Sequence, residues 1–215
     1  MRTRLCWFWL LAAGACRAEV IDRIALTVGS SLITESDVFR EIRLTAFLNG
    51  AELDSSGPAR RKTAERLVEQ TLIRRELELS RYTAPEMAEA EQMLSAIRRD
   101  RFPEEARYRQ ELEKYKIVEE DLKQHLLRQL ATLRFIDLRF KPGVQILEPE
   151  VEEYYQKKLL PQWREKGAGQ DPPLEEVRRG IEEILVAGRV DHMLEEWIKE
   201  VRAGVRIEFR EKVFE

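Results

Sequence analysis

The chain has 215 residues, of which 40 are Asp or Glu and 37 are Lys or Arg, giving a formal charge of −3. Charged residues make up 36%, against roughly 25% in an ordinary globular domain. The slight acidity argues against general nucleic-acid binding, and two Cys with two His exclude a disulfide-dense scaffold, a four-cysteine zinc site and a histidine-rich metal site.

Arg2 and Arg4 precede an uncharged stretch from Leu5 to Ala15. Eleven helical residues span only about 16 Å, roughly half a bilayer's hydrocarbon core, which is the length of a signal-peptide core and not of an anchor. Ala18 before Glu19 is the expected cleavage point, with Cys16 as the small residue at −3. The same region also spells a weak lipobox, Ala13-Gly14-Ala15-Cys16, in which Cys16 would be lipidated. Cleavage after Ala18 is favoured, because strand-like sequence begins by Val20 and leaves almost no tether for a lipid. Removing 1–18 takes away Arg2, Arg4 and Arg17 and both cysteines, so 34 basic residues face 40 acidic ones and the net charge becomes −6. A cysteine-free chain suits an oxidising compartment.

Beyond the leader, Ile24, Leu26 and Val28 alternate with Ala25 and Thr27, the period of a half-buried strand. Gly29-Ser30-Ser31 is turn chemistry, and Leu32-Ile33 resumes a strand. Thr34 and Asp37 predict a capping box opening a helix to about Leu48, with Val38, Ile42 and Ala46 on one face. A polar loop at 49–58 precedes a helix over about 59–80, striped by Val68, Leu72 and Leu79 and widened by Ile73 and Leu77. Thr83 with Pro85 reads as the next cap, for a helix carrying Met87, Ala90, Leu94 and Ile97. Pro103 opens a charged helix to about Tyr115.

The longest expected central helix runs over about 118–140, with Val118, Leu122, Leu126, Leu130 and Leu133 at three- and four-residue steps. Pro142-Gly143 stops it. Glu148-Pro149-Glu150 starts another helix, to about Leu160 or a little beyond. Gly167 to Pro173 is the clearest linker. The last helix spans about 174–203, with Val177, Ile181, Leu185, Val190, Leu194, Trp197 and Val201 as its apolar face, and Val205, Ile207 and Phe209 alternate in a terminal strand. An isolated hairpin is marginal in water, so the C-terminal strand is expected to join the N-terminal hairpin in one small antiparallel sheet. The expected fold class is therefore mainly α.

No dinucleotide fingerprint, P-loop, H-E-x-x-H or nucleophile elbow occurs. The sequence therefore predicts no cofactor, no metal and no nucleotide. His125 and His192 read as packing or surface residues. Paired glutamates such as Glu152-Glu153 and Glu195-Glu196 read as solvated helix faces. Met87, Met93, Phe102, Tyr108 and Tyr115 are candidates for an adaptable apolar binding surface, with ordinary core packing the alternative.

One set of segments resembles a known family. Val20 to Val28, the turn, and Leu32-Ile33-Thr34-Glu35-Ser36-Asp37-Val38 resemble the start of the mature SurA-type periplasmic chaperones and related parvulin-type foldases. Leu67 to Ile73, Gln124 to Phe140 with its exit through Val151, and Leu174 through Phe209 are similar to that family's later segments, so the likeness covers nearly the whole mature chain. It implies a signal peptide at 1–18, a helical chaperone domain at 19–166, a linker at 167–173 where relatives carry parvulin isomerase domains, and a C-terminal helix and strand at 174–215 completing the same domain. Only Trp163 to Pro173 occupies that interval, so the isomerase residues have no counterparts and the resemblance implies a binding core that is not an enzyme. The implied function is a periplasmic holdase that binds unfolded or nascent exported polypeptides without ATP, outer-membrane β-barrel precursors among them, with no transmembrane segment in the mature chain. The alternatives are a prolyl isomerase with residual activity and an envelope assembly subunit with one fixed partner.

Overall fold

The computed structural model describes residues 22–80, 82–167 and 169–215. The expected leader 1–18, with Cys16, lies outside the described residues. Two strands, β1 (Ile24–Val28) and β2 (Ser31–Thr34), form the expected hairpin. Gly29 turns it at φ +58°, a left-handed conformation that glycine adopts without steric cost. Its N–H donates to the Arg206 carbonyl at 2.8 Å, so the turn is already tied to the far end of the chain. β3 (Ile207–Phe209) lies antiparallel on the other side of β1, pairing Leu26 with Phe209 and Val28 with Ile207. The sheet order is β2-β1-β3, so the C-terminal strand completes the N-terminal hairpin as its alternation predicted.

Helix α1 (Glu35–Asn49) opens on the expected capping box. The Asp37 N–H donates to Thr34 Oγ1 at 3.2 Å, and the Thr34 N–H donates to Asp37 Oδ2 at 3.0 Å. Each side chain thereby satisfies a backbone donor at the helix start. Helix α2 (Gly57–Leu79) is capped by Ser56 with Pro58 in its first turn. Helix α3 (Met87–Arg101) starts later than expected, after Pro85, and Glu86 with Glu89 supplies its cap in place of Thr83. The residue before a proline is pushed out of the helical region, which keeps Ala84 from joining. Helix α4 (Glu105–Tyr115) starts two residues past Pro103 and ends at Lys116, left-handed at φ +52°.

Helix α5 (Glu119–Arg139) gives way to a 3₁₀ turn over Lys141–Gly143. Helix α6 (Glu148–Tyr154) continues through a π turn at Tyr155–Leu159 into α7 (Leu160–Glu165). Pro161 explains the widening: its ring clashes with an α-helical carbonyl four residues back, and the π turn moves that carbonyl aside. Helix α8 (Leu174–Ala203) has the bounds its periodicity predicts. The turn between α7 and α8 is fastened by Tyr155 Oη donating to the Pro172 carbonyl at 2.8 Å and Trp163 Nε1 to the Gln170 carbonyl at 3.2 Å.

Three apolar clusters hold these elements together. The sheet packs on α1 and α2 through Leu26, Val28, Val38, Val68 and Leu72, with Val213 and Phe214 closing from the C-terminus. A second cluster joins α1, α3, α4 and α5 around Phe47, Leu122 and Leu126. A third joins α2, α5 and α8, where Trp197 meets Phe135 with ring centroids 5.2 Å apart. Helix α5 thus serves two clusters on different faces. Its expected single stripe is therefore split: Leu122 and Leu126 are buried, whereas Val118 and Leu133 are exposed and Phe135 is buried instead. Leu79, expected on the α2 stripe, is the most exposed of the large apolar residues among those described, at 84%. Among the described residues no helix is long and apolar enough to cross a membrane.

Candidate functional site

Helices α1, α2 and α5 splay apart beside strand β2 and leave an open cleft of about 550 Å³. Its apolar walls come from Leu32 on β2, Leu44 on α1, Leu67 and Leu77 on α2, and Leu133 on α5. Leu32 and Leu133 are more than half exposed, so solvent reaches these walls. Among the described residues, β2 is an edge strand with β1 as its one strand neighbour. A sheet edge offers backbone donors and acceptors that an extended chain can pair with.

The interior of the cleft carries a buried polar pair. His125 Nδ1 on α5 lies 3.1 Å from Glu41 Oε2 on α1, and Gln70 on α2 donates to Glu41 Oε1 at 3.5 Å. Burial pushes the Glu41 carboxyl up, but the His125 contact, with Gln70 and Arg66 adding to it, holds it below its ordinary value. An ionised Glu41 requires the Nδ1 proton, which leaves His125 Nε2 as the ring's second site. Nε2 is buried with no hydrogen-bond partner among the described residues. The two cleft hydroxyls are engaged elsewhere: Thr71 Oγ1 donates to the Leu67 carbonyl at 2.7 Å, and Thr132 Oγ1 to the Arg128 carbonyl at 3.0 Å.

Three arginines line the same cleft. Arg40 pairs with Asp37 at 3.0 Å, and Arg74 with Glu78 at 3.8 Å. Arg128 makes no ion pair among the described residues. Burial pushes the Arg128 guanidinium down, and the charges of Arg40 and Arg74 push the same way against Glu41 and Asp121. The arrangement joins apolar walls, a strand edge and an excess of cations, which are the components of a binding surface.

The sequence candidates lie elsewhere. Phe102, Tyr108 and Tyr115 are buried in the cluster around Phe47, and Met87 packs against it. Phe47 stacks on Phe102 at 5.4 Å, and Tyr115 Oη donates to the Ala51 carbonyl at 2.7 Å. Burial, with Glu119 next in effect, pushes the Tyr108 phenol up. Of the five, Met93 alone is exposed. Core packing, the alternative for this group, is what the contacts of the other four display. His192, the other histidine, is exposed on α8. Glu41 drew no notice in the sequence, although it follows Val38 by three on the apolar face of α1, as His125 follows Leu122 on α5. A polar residue inside an apolar stripe was the available signal, because burying one requires a partner.

No protein-family model matches the chain, and no curated protein is significantly similar to it. Among the described residues, no group of three or more His, Cys, Asp or Glu side chains is placed to hold a metal ion.

Proposed function

We infer that this protein is a holdase-type chaperone of the periplasm, binding unfolded exported polypeptides, including outer-membrane β-barrel precursors, without ATP. One observation supports the reading above the others: an open, leucine-walled cleft bordered by an edge strand. Nascent barrel strands expose alternating apolar side chains and unpaired backbone, and they aggregate unless covered. A cleft with apolar walls beside a strand edge can cover both features with broad specificity. The leader-like residues 1–18 and the hairpin-to-helix resemblance favour the exported compartment.

The test is suppression of aggregation of a urea-denatured barrel protein by near-stoichiometric amounts of this chain, without nucleotide. Suppression is expected, and the paired change Leu32→Asp with Leu133→Asp, at exposed cleft positions, is expected to remove most of it while leaving the fold intact. Failure of the wild type at several-fold excess ends the reading. A protease-coupled proline-peptide assay is expected to show no acceleration over the uncatalysed rate. Capture from an envelope extract is expected to yield a spread of clients, and one stoichiometric band would identify an assembly subunit instead.

A further inference from the structure

The geometry points to a specificity within this cleft: it takes extended segments in which an Asp or Glu side chain sits among apolar residues, with Arg128 receiving that carboxylate. The inference rests on the polypeptide-binding reading above and names which polypeptides are held best.

Charge complementarity carries it. Arg40, Arg74 and Arg128 come from three different helices and line one cleft. Three of the carboxylates near them are already engaged. Asp37 pairs with Arg40 at 3.0 Å, Glu78 is the partner of Arg74 at 3.8 Å, and Glu41 is held by His125 at 3.1 Å. Arg128 has no ion-pair partner among the described residues: Glu41 and Asp121 attract it without pairing, while Arg40 and Arg74 repel it. A partly desolvated guanidinium is unfavourable until a carboxylate meets it, and the planar fork of Arg fits a carboxylate in two-pronged fashion. Leu67, Leu77 and Leu133 line the same cleft and supply apolar contact for the residues flanking that carboxylate. Strand β2 offers the backbone edge along which such a segment would lie. The buried, unpartnered His125 Nε2 in the same cleft is a second polar atom without a partner from the chain itself.

The experiment measures binding of fluorescent peptides, acetylated and amidated at their ends so that only side chains carry charge, by anisotropy with the full chain. Three peptides of alternating apolar and polar residues differ at one central position: Glu, Gln or Lys. The Glu peptide is expected to bind about tenfold more tightly than the Gln peptide, the effect of one charge-assisted hydrogen bond, with the Lys peptide weakest. Arg128→Gln is expected to bring the Glu peptide down to the affinity of the Gln peptide, and Arg128→Lys to restore part of the preference. Circular dichroism checks that the variants fold. Equal binding of the Glu and Gln peptides to the wild type overturns the carboxylate preference while leaving the chaperone reading standing. A preference that survives Arg128→Gln overturns the assignment to Arg128. Binding of none of the peptides overturns both readings, and binding of oleate in their place makes the cleft a lipid site.

Discussion

Glu41 and His125 are 84 positions apart in the chain, yet they meet at 3.1 Å with side chains only 5% and 3% exposed. The contact joins α1 to α5 at the wall of the cleft. Removing one partner of a buried pair strands the other, at a cost of about 3–5 kcal/mol. His125→Leu is therefore expected to destabilise the protein by about that amount in urea unfolding. The double change Glu41→Leu with His125→Leu is expected to cost less than the sum of the two single changes, by about 0.5–3 kcal/mol. Strict additivity would mean that the two residues are not coupled.

Glu41 also sets a pH dependence of definite sign. Burial raises its affinity for a proton, but His125, Gln70 and Arg66 lower it more, so the folded chain holds the carboxyl below its ordinary 4.5. A carboxylate depressed on folding contributes stability above its unfolded value, and loses it as pH falls through the folded value. Stability should accordingly decline on acidification from about 4.5 downward, and Glu41→Gln should make that decline shallower. Glu89, Glu105 and Glu150 are lowered as well and remain in the variant, so the informative quantity is the difference between the two stability curves. A difference that stays constant through the acid range would count against the pair.

Two kinds of glycine should respond oppositely to alanine. A Cβ on Gly57 would lie 2.1 Å from the Phe214 carbonyl oxygen, because the C-terminus crosses the start of α2 there. Gly57→Ala must displace backbone, and a loss of about 1–3 kcal/mol is expected. Gly188 sits within α8 with nothing within 4 Å of the same position. There alanine removes the entropic cost of a helical glycine, and Gly188→Ala should stabilise by about 0.5–1 kcal/mol. Thermal melts of both variants check the pair, and a stabilising Gly57→Ala would mean that the crossing is loose.

The C-terminal segment should be indispensable to the sheet. Beyond the β1 pairing, Arg60 Nη1 donates to the Val213 carbonyl at 2.6 Å, and Arg61 reaches Glu211 at 2.8 Å while its guanidinium lies 3.7 Å from the Phe209 ring centre. Deleting residues 205–215 leaves β1 unpaired on one side and uncovers Leu26 and Val28. The truncated chain is expected to lose cooperative melting. A melt matching that of the full chain would show the sheet to be complete without β3.

Trp197 anchors the cluster that fastens α8 to α2 and α5, with Phe135 at 5.2 Å and Phe140 at 6.1 Å. Trp197→Ala should cost about 3–5 kcal/mol, the range for emptying a large aromatic site. A loss under about 1 kcal/mol would mean that α8 is held mainly by contacts outside this cluster.

Much of the fold was legible because single elements carry strong local signals. The thirty residues of α8 keep one apolar period from Leu174 to Ala203, and the Thr34–Asp37 box marks the start of α1 directly. The errors came where one helix meets several neighbours. In α5, periodicity places Leu133 with Leu122 and Leu126, but Phe135 turns toward α8 and Leu133 is left on the cleft wall. The site was less legible for a related reason. Aromatic and methionine side chains suggested a surface, but Phe102, Tyr108 and Tyr115 gather around Phe47 in the interior, and only Met93 stays exposed. The cleft is made instead by residues distant in sequence, Leu32, Arg74 and Arg128, whose proximity exists only after three helices have packed.

The pairing of Thr27 with Glu208 has a consequence in time. The first of the described strands must wait for the last before its sheet can close, whereas each helix can form from neighbouring residues as it emerges. Closing so long a loop is entropically unfavourable, and dependence on distant contacts slows folding. During synthesis the hairpin therefore stays unfinished, with β1 open on one side, until residues 207–209 arrive.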